Sequence, residues 1–331
     1  MKALRLSRVL FIVALVCALA IWPQLLSSAQ AQAKTVIRVG SPFKPGHILV
    51  DAAEKFKELV TQGSGDRIEA QLEFGTKSEE DINTLNSTGA LEMQFNGGRP
   101  LEVFAPQYFF LNAPYVLKDF DHLMRVFNGK LGQAAQAQGE QKGNVKIVGV
   151  VYRGLRQTTA KKPIYTPADV YGLKLRLPNV PTWVAVWKGL DAAPVTLTLP
   201  ELYSGLKTGK AEASEGDLPQ IASFKLDEVQ THLIMTNHMV QAGWVAINKP
   251  FFDKLSKADQ DLVLLAVKDA TAWANKKLMA GEVGLLVDLQ RKGMQVVIPD
   301  AELFRVKAKP AVEELFQKEW PVTTWQEVLA Q

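Results

Sequence analysis

The stretch YGLKLRLP, residues 171–178, decides the fold by what stands on either side of it. Leu173, Leu175 and Leu177 alternate with Lys174 and Arg176, the period of two that marks a strand with one packed face. Just before it, TPADVYG (166–172) spells a single helical turn. Thr166 is its N-cap, Pro167 takes the first helical position, Asp169 follows three residues after the cap, and Gly172 is the stop. Further upstream, NVKIVGVVY (144–152) is a near-continuous apolar run, as in strands buried on both faces of a parallel sheet. The same alternation continues toward the N-terminus. TVIRVG (35–40), RIEAQLEF (67–74) and ALEMQFN (90–96) read as strands, and HILVDAAEKFKELVTQG (47–63) reads as an amphipathic helix. SEEDINTLNSTG (78–89) opens with a capping-box pattern, Ser78 to Asp81, and closes on Gly89. Strands and helices in turn predict an α/β architecture with mostly parallel sheets.

One element stands apart. From Ser256 to Lys292 there is no proline, and the segment fits one helix of about 35 residues, or two if Gly281 and Gly284 break it. A single helix of about 50 Å is longer than a domain is wide, so it is expected to bridge two lobes. No linker or internal repeat separates the lobes, which are expected to interleave: 34–153 with 242–281, and 154–241 with 282–331.

The N-terminus has a different character. MKALRLSR is a basic start, residues 9–22 are an unbroken apolar run, and SSAQAQA offers small residues at A-x-A spacing. This predicts a secretory signal peptide over 1–33, cleaved after Ala31 or Ala33, and hence a periplasmic protein. Cys17, the one cysteine, leaves with the leader, so neither disulfides nor thiol chemistry are expected. Loss of Lys2, Arg5 and Arg8 lowers the net charge from +4 to +1, which removes the compositional support for a nucleic-acid partner.

Enzyme signatures are missing. There is no HExxH, GxSxG, GxGxxG or P-loop string, and the four histidines lack metal-ligand spacing, so neither cofactor nor metal is expected. SGLKTG (204–209) holds overlapping SxxK and KTG strings on one turn, a chance match. The sequence instead puts arginine where α/β proteins bind ligands, beyond the carboxyl ends of strands. Arg153 and Arg156 follow the apolar run 144–152, and Arg176 ends the strand 173–177. Guanidinium matches a carboxylate with two parallel hydrogen bonds, which lysine cannot reproduce.

Residues 172–216, GLKLRLPNVPTWVAVWKGLDAAPVTLTLPELYSGLKTGKAEASEG, resemble the signature stretch of the substrate-binding proteins of tripartite ATP-independent periplasmic (TRAP) transporters, the DctP-like family. AAEKFKELV (52–60), NTLNSTGALEM (83–93), LNAPYVLKD (111–119) and AINKPFFDKLSKADQDLV (246–263) are similar to further blocks of that family, so the resemblance spans the chain after the leader. It implies a two-lobed, Venus-flytrap α/β receptor without enzymatic activity, closing on a small organic anion and serving TRAP membrane subunits as a monomer. It places the principal ligand arginine on Arg176 and the second on Arg156. The family's frequent Asn falls on Gly216 here, which leaves Glu215 and Asp217 as polar groups that favour a hydroxylated ligand, a sugar acid over a dicarboxylate. Phe43, His47 and Asn96 are further candidates from the first ligand loops. Two other readings stay open: a receptor that signals to a membrane sensor, and a periplasmic enzyme using the same cleft.

Overall fold

The computed structural model describes residues 34–331, and the expected signal segment lies outside the described residues. One mixed sheet of nine strands organises them. The strands are β1 (Thr35–Ser41), β2 (Ile68–Phe74), β3 (Met93–Asn96), β4 (Val145–Ala160), β5 (Lys174–Leu177), β6 (Ala193–Thr196), β7 (Ala213–Asp217), β8 (His232–Asn248) and β9 (Gln295–Val297). Their order is β2-β1-β3-β8-β4-β7-β5-β6, with β9 beside β8. The pairs β1–β3, β5–β6, β5–β7 and β8–β9 are parallel, while β3–β8, β4–β8 and β4–β7 are antiparallel. The expectation of mostly parallel sheet is therefore corrected at the centre. An apolar run reports burial on both faces, which helices on either side supply whatever the strand direction.

β4 and β8 are 16 and 17 residues long and pair from Val145↔Asn248 to Ala160↔His232. β4 thus does not stop at Tyr152. The polar run RGLRQTT (153–159) stays in the ladder, and Arg153 and Arg156, expected beyond the strand's carboxyl end, lie in mid-strand. Polarity misleads here because these side chains are buried and have partners within the protein.

The long pair is not regular. Its register shifts between Ile147 and Gly149, between Tyr152 and Gly154, and between Arg156 and Thr158. At the second shift Gly154 has φ +92°, where a side chain is strained, and a Cβ there would meet Glu282 Oε1 at 2.5 Å. The helix Lys257–Arg291 braces this irregular stretch: Asn275 Oδ1 accepts from the Tyr152 amide at 2.7 Å, and Glu282 accepts from the Leu155 amide.

That helix is a single element of 35 residues, N-capped by Ser256. Gly281 and Gly284 do not break it. Both face open space and line a groove of about 400 Å³ with Gly46, Ile48, Pro219 and Leu278. The capping boxes Ser78/Asp81 and Thr166/Asp169 both form, the second on a 3₁₀ turn over Pro167–Val170. Trp183, Trp187 and Trp244 are buried in the core. Among the described residues no helix is long and apolar enough to cross a membrane.

Candidate functional site

The two cations of β5 have opposite fates. Lys174 is exposed, whereas Arg176 is only 1% exposed. Arg176 Nε and Nη2 both donate to the Leu197 carbonyl, at 2.9 and 2.6 Å. Among the described residues the ion pairs of the buried arginines are those of Arg99, Arg153 and Arg156, and none includes Arg176. Burial lowers its pKa to about 10, against the opposing fields of Glu215 and Glu79, so it remains a cation at neutral pH.

Arg156 is equally buried but occupied. It forks Glu215, with Nη2 donating to Oε1 at 2.7 Å and Nε donating to Oε2, and Nη1 reaches Gln241 Oε1 at 3.2 Å. Its guanidinium lies 4.8 Å from the Trp183 ring centre. His238 Nε2 stands 3.2 Å from Glu215 Oε2, and its Nδ1 stands 2.9 Å from Thr236 Oγ1. Burial would raise the Glu215 carboxyl, but the charge of Arg156 and the hydrogen bonds from His238 and Arg156 outweigh it and hold the pKa at about 2. Burial pushes the His238 pKa down.

A second buried pair runs parallel to the first. Arg153 Nη2 is 2.6 Å from Asp217 Oδ2, and the Arg153 guanidinium covers Phe43 at 4.4 Å. Phe43 stacks on His47, with ring centres 4.0 Å apart. His47 caps the helix Ile48–Ser64 by accepting from the Leu49 amide at Nδ1, 3.1 Å, and turns Nε2 toward Asp217 Oδ1 at 3.4 Å. With Nδ1 accepting, the ring carries its proton on Nε2 and is neutral. Burial lowers the His47 pKa to about 4, which agrees. Asp217 also caps the helix Leu218–Ser223 through the Gln220 amide at 2.9 Å. Burial would raise its carboxyl, but Arg153 and the His47 hydrogen bond hold it far below the usual range.

The fold thus brings Phe43, His47, Arg156, Glu215 and Asp217 together with Arg153, and Arg176 feels the charge of Glu215. Asn96 is spent differently: its amide donates to Glu79 O and Gln94 Oε1, and its Oδ1 accepts from Gly97. It fixes the turn at Gly97, where a Cβ would come within 3.3 Å of Arg153 Nη1. At Gly216, the position of the family's Asn, Gln220 Nε2 sits 2.6 Å from where a Cβ would be. The sequence did not single out Gln220, Gln241 or His238. β8 loops out between Ile234 and Met239 to deliver His238, which erases the period of two that marks a face. Arg153 was visible, but the resemblance favoured Arg156 as the second arginine. Among the described residues no group of three His, Cys, Asp or Glu is placed to hold a metal ion.

The mixed α/β fold is that of two-lobed periplasmic solute receptors. Residues 39–319 match the model of the bacterial extracellular solute-binding protein family 7, DctP, and the chain belongs to that family, one of binding proteins and not of enzymes. It is 29% identical over 290 residues to the sialic acid-binding periplasmic protein SiaP of Vibrio cholerae, covering 87% of this chain and 90% of that protein. It is 28% identical to the 2,3-diketo-L-gulonate-binding periplasmic protein YiaO of Escherichia coli, over 82% and 83% of the two chains. A TRAP periplasmic solute-binding protein of Roseobacter denitrificans, solved with bound L-galactonate, superposes with a TM-score of 0.84 at 28% identity, over 90% of this chain and 99% of that one.

Proposed function

We propose that this chain is an extracytoplasmic receptor that binds a small organic acid by pairing its carboxylate with Arg176, and passes it to TRAP-type membrane subunits. The observation that carries this reading is a buried, charged guanidinium whose acceptor is one backbone carbonyl. A buried cation without an anion is costly, and a bound carboxylate removes that cost. Arg156, Glu215, Asp217, His47, Phe43 and Asn96 build the surrounding shell, with Arg156 as the second arginine. The acids bound by relatives, L-galactonate in the Roseobacter protein and D-erythronate in a Polaromonas protein 25% identical, are hydroxylated monocarboxylates and support a sugar acid here over a dicarboxylate.

The lobes are 34–153 with 242–281 and 154–241 with 282–331, in a monomer exported to the periplasm after loss of 1–33. Two of the three crossings then fall on the long strand pair at Gly154↔Gln241, beside the register shift, and the third lies within the helix Lys257–Arg291. The strands bend where the ladder is weakest, and closure shuts water out of the Arg176 pair, which strengthens it. A thermal-shift screen of the purified protein against organic acids tests the reading. A cognate acid at 100 times its Kd adds about 2.7 kcal/mol of stability. A hit that is neutral or cationic, or none among the acids, overturns it.

A further inference from the structure

The arginines of the site are already partly neutralised from within, and the sum has a consequence for the ligand. Three guanidiniums are buried here: Arg153, Arg156 and Arg176. Two carboxylates are buried with them, Asp217 on Arg153 at 2.6 Å and Glu215 in a forked pair with Arg156. His47 adds no charge, since its Nδ1 accepts from a backbone amide. His238 has a hydroxyl on one nitrogen and Glu215 on the other, the surroundings of a neutral ring that donates to the carboxylate. Glu80, on the neighbouring helix, pairs with Arg99 at 2.6 Å, and Glu79 beside it is partly exposed to solvent. One buried positive charge is left over, and it sits on Arg176.

Resting on the receptor reading above, we infer that Glu215 and Asp217 act as built-in counterions that set the site for a single negative charge, so that it takes monoanionic acids and rejects dianionic ones. A first carboxylate on Arg176 closes the balance. A second would enter a dry site whose other arginines are engaged, and would meet Glu215 or Asp217 as a like charge, where a low dielectric makes repulsion strong. The two carboxylates are therefore specificity determinants through the arginines they occupy.

Calorimetry with three matched pairs of acids tests this: D-erythronate against meso-tartrate, D-gluconate against D-glucarate, and D-galactonate against galactarate. Each pair keeps its carbon skeleton and differs by one carboxylate. The wild-type protein is expected to favour the monoanion at least 100-fold in each pair that binds. Asp217→Asn and Glu215→Gln each free an arginine and narrow that preference at least tenfold. The double variant Arg153→Gln/Asp217→Asn leaves the charge sum unchanged and keeps the wild-type preference. If a single variant does not fold, as judged by circular dichroism, the wild-type pairs and the double variant still decide. A wild-type protein that binds a dianion as tightly as its partner, or single variants that bind with unchanged preference, overturns the inference alone. If none of the six binds, the tightest acid of the thermal-shift screen and its counterpart with one further carboxylate replace them, and the same preference decides; no binding of any acid in that screen sinks the receptor reading along with the inference.

Discussion

Replacing Arg176 by alanine separates ligand binding from structural support. The side chain makes two hydrogen bonds to one acceptor, the Leu197 carbonyl, at 2.9 and 2.6 Å, and no ion pair among the described residues. In the complex it would add a forked pair to a carboxylate, where a hydrogen bond to a charged group contributes about 1.5–3 kcal/mol. Truncation also leaves the ligand's carboxylate buried and unpaired, so the expected loss of binding is about 3–5 kcal/mol. At about 1.4 kcal/mol per decade this weakens Kd by roughly two to three and a half orders of magnitude. Folding tells a different story. The variant leaves the buried Leu197 carbonyl without its donors, which costs about 1–3 kcal/mol, while deleting an uncompensated buried cation returns an amount of the same order. Stability without ligand should therefore change much less than binding. Calorimetry gives the first quantity and urea unfolding the second. A loss of affinity below tenfold, or a variant that loses stability in step with affinity, refutes Arg176 as the anchor.

Three further outcomes follow from the same geometry. His47 is held neutral, with its pKa lowered from about 6.5 in the unfolded chain to about 4, so the unfolded state binds the extra proton between those values. Stability is fully present above pH 6.5 and falls by about 3 kcal/mol toward pH 4; His47→Asn, which keeps the helix cap, should flatten the urea-unfolding profile in that window, and an unchanged slope contradicts the assignment. Gly154→Ala places a Cβ at φ +92° against Glu282, so thermal unfolding should show a loss of about 1–3 kcal/mol, and a neutral effect would show the bulge to be permissive. Arg156→Ala should weaken ligand binding less than Arg176→Ala, because Glu215 already takes two of its donors; calorimetry giving the reverse order makes Arg156 the anchor.

Much of the fold is legible in the residues because local chemistry decides it. Ser78 and Thr166 cap as their spacing demands, and the proline-free run after Ser256 forms one helix despite two glycines, since both face open space and nothing presses the helix to bend there. Strand direction is not encoded locally, and β4, apolar along its first half, turned out antiparallel to both neighbours. Its second half was missed for a related reason. RGLRQTT reads as a solvated loop until the partners of its arginines, Asp217 and Glu215, arrive from a strand some 60 residues later. The difference between Lys174 and Arg176 was visible as a difference between strand interior and strand end. The burial of Arg176, and the pairing that leaves it the odd charge, depend on tertiary contacts that no spacing records.

A crystal structure of the protein with the tightest-binding acid from the thermal-shift screen would display the Arg176 pair itself. One carboxylate is expected there, both of its oxygens on the Arg176 guanidinium, with the Arg156–Glu215 and Arg153–Asp217 pairs intact beside it. A carboxylate bound elsewhere, with Arg176 still donating to the Leu197 carbonyl alone, would rule Arg176 out as the anchor.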